Sequence, residues 1–550
     1  MPTWSMSPMP EPTQVAVARS GMVMAAGTLT SRILGLVRVV LLGGIIGTTG
    51  LTAEAFQVAN TLPNQFYLIL AGGILNAVLV PQIVKADAHE DGGEAFVNRL
   101  VTLSLLLLVA ATTVTTLAGP WLVRAYFDTS HESALALSVT FAYVCLPQIF
   151  FYGLYTVLGQ LLTARGRFAA YMWAPVIANV VALAWLVLFL ALGLPKGAAP
   201  EAWSPLMIGV LAGSATLSIA LQAIFLIIPL RRMGYRYRPV FGFRGVGLRS
   251  TSTVASWTFL AVLVSQAGFV VTSQSLTWAT SAAPAGAHVG GRAAFDNAFL
   301  LFILPHSLVT VSLVTALYTR MARAVAAGDR EELRRDVLKG LRLPSVVLIP
   351  GVIAAIAFAP LLLRAFFVMN SLPETNAVAV VATALFLGVV PYGWVYLSER
   401  FFYAHENART PFLVQCLVTA ISVIGALLAR QFLPSQTAFT IGIAQSTAYA
   451  VGGLLGLALV RRRLGGLALA GVVGTYLRLG VPAVAAALAL RWVIGVAVPD
   501  LAHLGRLSTA LLAAGAGLVV LVVSWSVAGA LRVPEVAELL DPVLRRLRRR

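Results

Sequence analysis

The chain has 550 residues, 59% of them hydrophobic and only 11% charged, where a soluble domain carries about a quarter charged residues. Its formal net charge is +18, yet the positive residues lie in short stretches between apolar runs, so the excess reads as membrane topology and not as nucleic-acid binding. Cys145 and Cys416 both fall inside apolar segments, which gives no disulfide framework and no thiolate metal site.

Residues 1–20 read as a cytoplasmic tail without the charged, apolar and cleavage-site regions of a secretory signal, so the first span itself would direct insertion. That span is "GMVMAAGTLTSRILGLVRVVLLGGIIG", and apolar windows near the ~20 residues that cross a bilayer core then recur along the chain. About fourteen are readable, centred near residues 34, 70, 108, 147, 180, 217, 262, 306, 352, 390, 420, 448, 483 and 518. Alternating the loops sorts the charges. One side receives Lys85, Arg99, Arg165, Arg167, six arginines from Arg231 to Arg249, and a second basic set from Arg320 to Arg342. It also receives Arg400, Arg409, Arg461, Arg462, Arg463 and the terminal "RRLRRR". The other side holds only scattered residues: Arg124, Lys196, Arg292, Arg364, Arg430, Arg491 and Arg506. The positive-inside rule then puts both termini in the cytoplasm.

An internal repeat accompanies this pattern. "LPNQFYLILAGGILNAVLVPQI" begins at Leu62 and "LPHSLVTVSLVTALYTRMA" at Leu304, an offset of 242. "LPQIFFYGLYTVLGQLLTARGRF" has Pro147 and "VPYGWVYLSERFFYAHENART" has Pro391, an offset of 244. The shared offset predicts an all-α polytopic membrane protein of two six-helix pseudo-symmetric lobes around a central cavity, plus two extra C-terminal helices. The lobes would run over 21–240 and 241–463, the added helices over 464–532, and a basic cytoplasmic tail over 533–550. Two lobes of this kind suit a transporter, and Pro63, Pro147, Pro305, Pro391 and the nearby glycines offer places to bend.

"SRILGLVRVVLLGGIIG", followed by "TAEAFQVANTLPNQFYLILAGGILNAVLVPQIV", resembles the opening of the MurJ (MviN) family of lipid II flippases. The resemblance continues through "LPQIFFYGLYTVLGQLLTARGRFAAYMWAPVIANVV" and "AFDNAFLLFILPHSLVTVSLVTALYTRMARAVAAGD", covers the first twelve spans, and is similar to actinobacterial members in "ANTLPN" and "LPQIFFYG". It implies the MOP-superfamily fold and export of an undecaprenyl-pyrophosphate-linked peptidoglycan precursor. The family often has an arginine shortly after the LPN of the second span, where this chain reads Gln65, Phe66, Tyr67 and Leu68. It often has another basic residue early in the eighth span, where this chain reads Asp296, Asn297 and Ala298.

Arg32 and Arg38 are the charges of the first span. Six residues separate them, roughly 9 Å along a helix and about 120° around it, and Gly35 between them is a candidate hinge. Guanidinium forks match pyrophosphate oxygens and stay charged at any pH, which makes Arg32 and Arg38, with Ser31 beside them, candidate headgroup ligands. Topology or pairing within the protein explains the same arginines. Asn60 and Asn64 share a helical face beside Gln65 and suit either substrate hydrogen bonds or interhelical contacts. Glu54 and Asp296 are candidates for charge balance or ion coupling, the plainer reading being solvated helix ends. Pro63 and Pro305 are the other candidate hinges, and the adjacent Glu399 and Arg400 read as a surface pair.

No P-loop, HExxH or nucleophile elbow occurs, so the chain reads as a transporter and not an enzyme, with no cofactor and with the membrane potential, an ion gradient or product consumption as the driving force. The expected partners are a lipid-linked saccharide-peptide, anionic phospholipids and cell-wall synthesis proteins, with no nucleic acid. The rival readings are a MOP-type exporter of lipid-linked polysaccharide or drugs, and a non-transporting membrane scaffold of the cell-wall machinery.

Overall fold

The computed structural model describes residues 14–71, 94–242, 253–284, 286–498 and 504–538. Every regular element among them is a helix, as hydrocarbon demands of a chain that must satisfy its own backbone groups. Most of the first tail, the later half of the second span with Gly72 and Gly73, Lys85, Arg244, Arg249 and the terminal "RRLRRR" lie outside the described residues. Among the described residues twelve helices are long and apolar enough to cross a membrane, or thirteen with the bent pair Leu372–Phe386 and Val389–Ala404, which meet at 44°. The helix Leu51–Leu70, where a further span is expected, is not among them.

The chain forms two compact units. The first comprises Met1–Gly47 with Leu51–Gln266. Its helices are α1 (Gln14–Ile46), α2 (Leu51–Leu70), α3 (Glu94–Leu117), α4 (Gly119–Tyr126), α5 (Glu132–Cys145), α6 (Gln148–Ala164), α7 (Phe168–Ala191), α8 (Pro205–Phe225) and α9 (Ile227–Arg232). The helix α10 (Thr253–Ser281) begins in this unit and ends in the other. Within the first unit α1 packs on α7, α7 on α8, α2 on α5 and α3 on α6. Small residues permit this closeness: a Cβ on Gly153 of α6 would lie 2.1 Å from the Leu108 side chain of α3 and would force that side chain to move. One end closes on Val97, Leu100, Leu161, Leu162, Leu230 and Tyr235, all buried.

The second unit comprises Thr48–Gly50 with Ala267–Arg550. It holds α11 (Arg292–Pro305), a π-helical stretch His306–Val311, α12 (Ser312–Ala327), α13 (Arg330–Ala357), α14 (Ala359–Phe366), α15 (Leu372–Phe386) and α16 (Val389–Ala404). It continues through α17 (Arg409–Ala429), α18 (Pro434–Leu464), α19 (Leu469–Ala497) and α20 (Arg506–Ala530). The last two pack on each other and on α13. Gly425 of α17 sets the α17–α18 approach, since a Cβ there would come within 2.1 Å of Ala444.

The chain after α20 is not simply a solvated tail. Val533 and Val536 are buried against Val346, Leu479 and Ala528, while Glu535 and Glu538 pair with Arg342 and Lys339 of α13. The rest of the basic tail, 539–550, lies outside the described residues.

Candidate functional site

The polar residues of the first unit converge from α1, α2, α5, α6, α7, α8 and α10. On α1 the backbone carbonyl and hydroxyl of Ser31 both accept from Asn179 Nδ2 of α7, at 2.9 and 3.2 Å. Gly35, one turn on, faces the same amide at ordinary van der Waals distance, and α1 runs through it without a break. This stripe of α1 is therefore a helix–helix contact, in which Ser31 accepts from Asn179 and keeps its hydroxyl proton to donate.

Arg38 follows Ser31 by seven residues, close to the same helical face. It is half-buried, lies within electrostatic range of Tyr152 on α6 and Cys145 on α5, and has no ion-pair partner among the described residues. Arg32 is also half-buried, and it has interactions within the protein. The structure thus gives the two arginines different surroundings.

On α2, Glu54 is 0% exposed, which corrects the reading of a solvated helix end. It occupies the first turn of α2, where the helix dipole favours an anion. Asn60 Oδ1 accepts from Gln148 Nε2 at 3.4 Å, and the same amide donates to Thr216 Oγ1 on α8 at 3.2 Å. Asn64 is exposed, so the two asparagines of one expected face have unlike surroundings. Gln65 accepts through both its backbone carbonyl, at 3.2 Å, and its Oε1, at 2.9 Å, from Gln266 Nε2 of α10. Tyr67 hydrogen-bonds Thr156 at 2.5 Å, and its ring lies 5.5 Å from that of Tyr152. Pro63 is buried inside a continuous α2.

Asp296 and Pro305 belong to the second unit. Asp296 holds Arg292 of the same helix at 2.8 Å, and the Arg292 side chain is only 3% exposed. Asp296 is thus an ion-pair partner and not a solvated end, and Arg292 is not a loop charge. Pro305 ends α11 at the π-helical stretch. No ion pair joins Glu399 to Arg400 among the described residues; the Arg400 guanidinium instead donates to Tyr396 OH at 3.0 Å and lies 4.8 Å from the centre of that ring.

Asn179, Gln148, Tyr152 and Gln266 were not among the sequence candidates. Each is a polar residue within an otherwise apolar span, Gln148 and Tyr152 one turn apart on α6, and that signal does not tell a glue residue from a ligand. Together these residues bring the Arg38 guanidinium, with no ion pair among the described residues, near the Tyr152 phenol, with several amides already tied to neighbouring helices. Such a set can hold an anion at one point and hydrogen-bonding groups around it.

The family model described as "Lipid II flippase MurJ" matches residues 32–503. The chain belongs to the MurJ family. A probable lipid II flippase MurJ of Rhizobium meliloti (strain 1021) is 26% identical over 439 residues, 78% of each chain. The lipid II flippase MurJ of Burkholderia cenocepacia is 26% identical over 400 residues, 72% of this chain and 74% of that one. Among solved structures, a lipid II flippase MurJ in an inward closed conformation is similar with a TM-score of 0.70 at 17% identity, covering 92% of this chain and 98% of that one. A multidrug-resistance MATE transporter of the MOP superfamily in an inward-facing conformation gives a TM-score of 0.60 at 18% identity, covering 81% and 98%. The fold is therefore the MurJ and MATE fold, and the chain is a multi-pass membrane protein of a transporter family.

Proposed function

We propose that this chain moves lipid II, the undecaprenyl-pyrophosphate-linked saccharide-peptide, from the inner to the outer leaflet of the cytoplasmic membrane by alternating access. Membership of the MurJ family supports the substrate. The observation that carries the reading is Arg38, a guanidinium within a membrane span, half-buried and without a carboxylate partner among the described residues. A cation left unneutralised in such a place is costly unless an anion visits it.

The pyrophosphate would accept charge-assisted hydrogen bonds from Arg38, with Arg32, Tyr152 and the amide of Asn60 adding donors around it. The polyprenyl tail would remain in the bilayer while the headgroup crosses. Both termini lie in the cytoplasm, as the segregation of arginines supports. An anionic headgroup moving outward is favoured by an inside-negative potential, by about 2.3 kcal/mol per charge per 100 mV. An ion gradient is the other available driving force.

The test is depletion of the protein in its host with a leaflet-resolved assay of lipid II. Accumulation in the inner leaflet, reversed by the wild-type chain and not by Arg38→Ala, supports the reading. Unchanged lipid II in the outer leaflet on depletion overturns it.

A further inference from the structure

His306 opens the six-residue π-helical stretch between α11 and α12. A π turn interrupts the regular hydrogen-bond ladder, and such turns concentrate at functional sites. Two polar side chains of this stretch are buried without partners among the described residues: His306 is 2% exposed with its Nδ1 unbonded, and Thr310 is 1% exposed with its Oγ1 unbonded. In a membrane span each such group is costly, and it calls for a water, an ion or a proton at some stage of the working cycle.

The surroundings narrow the choice. The imidazole lies 4.4 Å from the ring of Tyr392, centroid to centroid, and meets Tyr396 edge-on at 5.7 Å. Tyr392 is backed by Tyr449 of α18 at 4.5 Å. Thr310 faces Gly393 of α16, whose Cβ, if present, would come within 3.4 Å of the Thr310 methyl. The titratable and charged groups on this side are Tyr392, Tyr396, Glu399 and Arg400 from α16 and Tyr318 from α12, the last with its ring 5.7 Å from the Arg400 guanidinium. The other two elements packed on the stretch add none nearby: α13 has no ionisable residue over 343–357, and α11 has none over 297–305. On the π stretch a metal ion would find the imidazole, the Thr310 hydroxyl, a Ser307 hydroxyl that already donates to the Leu304 carbonyl, and no carboxylate. A proton needs only the nitrogen.

We propose that His306 is a proton-binding site of the second unit, taking its proton at Nδ1 when the aromatic cage around it opens to water. The closed cage suits the neutral ring, since among the described residues Nδ1 meets no acceptor and no carboxylate pairs with it. An arrangement that wets the ring stabilises the imidazolium, by solvation and by the π faces of Tyr392 and Tyr396. Proton uptake and cage opening therefore favour each other, and acid shifts the population toward the open arrangement. The π turn is where the movement is cheapest, because passing its extra residue along the helix changes which side chains face α16. Use of this step to drive transport rests on the lipid II reading above; the titration itself does not.

The chain has six histidines, so 15N-histidine NMR of the full-length protein in nanodiscs gives few signals, and His306→Gln identifies one by its loss. His306→Asn, which keeps a polar group at the place of Nδ1, is the second variant should the first fail to fold. The expected result is that the His306 signal passes to the imidazolium form within the range from about pH 8 to about pH 5. Hydrogen exchange over 306–311, corrected for its intrinsic pH dependence, should then rise by up to about tenfold per pH unit, the limit for one linked proton. Neither change should occur in the variants. A ring that stays neutral throughout, or exchange that rises equally in the variants, overturns the proposal. In liposomes with an imposed pH gradient, wild-type flipping of lipid II should respond to the gradient, and His306→Gln should flip without responding. Wild-type flipping that ignores the gradient overturns the coupling. Absence of any flipping overturns the lipid II reading instead, and leaves the proton site to be decided by the NMR result.

Discussion

Asp296 accepts from Arg292 through both carboxylate oxygens, Nε to Oδ2 at 2.9 Å and Nη2 to Oδ1 at 2.8 Å, one helical turn apart on α11. The guanidinium also lies 4.1 Å from the centre of the Phe269 ring. The pair is a fork-to-fork contact in a nearly dry place, and removing one member leaves the other's charge buried. Asp296→Ala should therefore lower stability by about 3–5 kcal/mol. Replacing both, as Arg292→Met with Asp296→Leu, should recover most of that loss. Thermal unfolding of the detergent-solubilised protein measures both, and equal losses in the single and double variants would sink the account.

Arg38 presents the contrary case. Among the described residues it has no carboxylate to leave behind, so Arg38→Ala should leave thermal stability unchanged while lipid II export falls. Loss of charge-assisted contacts worth about 1.5–3 kcal/mol corresponds to roughly a 10- to 150-fold loss of headgroup affinity. Arg38→Lys should restore part of the function, because an ammonium keeps the charge and loses the fork. Complementation assays with membrane abundance measured in parallel decide the matter. Full growth of Arg38→Ala at normal abundance would remove the arginine from the transport machinery.

These two arginines show where sequence reading reaches its limit. Arg38 stood out because apolar periodicity on both sides left it no loop to belong to. Arg292 has the same chemistry but follows "AAPAGAHVGG", which reads as an external loop, and only the coordinates place its guanidinium against Asp296 and Phe269. The spans themselves were legible because hydrocarbon forces about 20 apolar residues in a row. Hydrogen bonds between helices are set by rotation about each axis, which no local pattern encodes. Hence the bond from Asn179 to Ser31 could not be read ahead, and Gln148 was not singled out at all.

Topology has its own check. In a variant with Cys145 and Cys416 replaced by alanine, Arg236→Cys and Arg463→Cys should react with an impermeant maleimide only after the membrane is opened, and Gly286→Cys should react from outside. Gly286 is exposed, with a φ of +80° that glycine adopts freely, so the new side chain adds some backbone strain at a solvent-facing turn. Reaction of Arg236→Cys in intact cells would show that the loops are assigned to the wrong sides.

The C-terminal segment divides into a docked part and a basic part, and the two should respond differently to truncation. Val536 is 4% exposed within the cluster of Val346, Leu479 and Ala528. Burying a side chain of this size contributes about 1.5–3 kcal/mol. Glu535 Oε1 accepts from Arg342 at 3.4 Å, with the arginine side chain 26% exposed, whereas Lys339 and Glu538 form a more open pair that is worth at most about 1 kcal/mol. Removing residues 539–550 should leave stability and export unchanged, since their arginines add only attraction to an anionic leaflet, about 1 kcal/mol each at low salt. Removing residues 534–550 should lower the unfolding temperature, because it uncovers Val346 and Leu479 and takes the carboxylate from Arg342. Glu535→Gln isolates the charge and should cost less than the longer truncation. If the shorter truncation abolishes export at normal abundance, the basic end binds a partner or takes part in transport. If the longer truncation leaves the unfolding temperature unchanged, the docking of Val533 and Val536 contributes nothing to the stability of the last two helices.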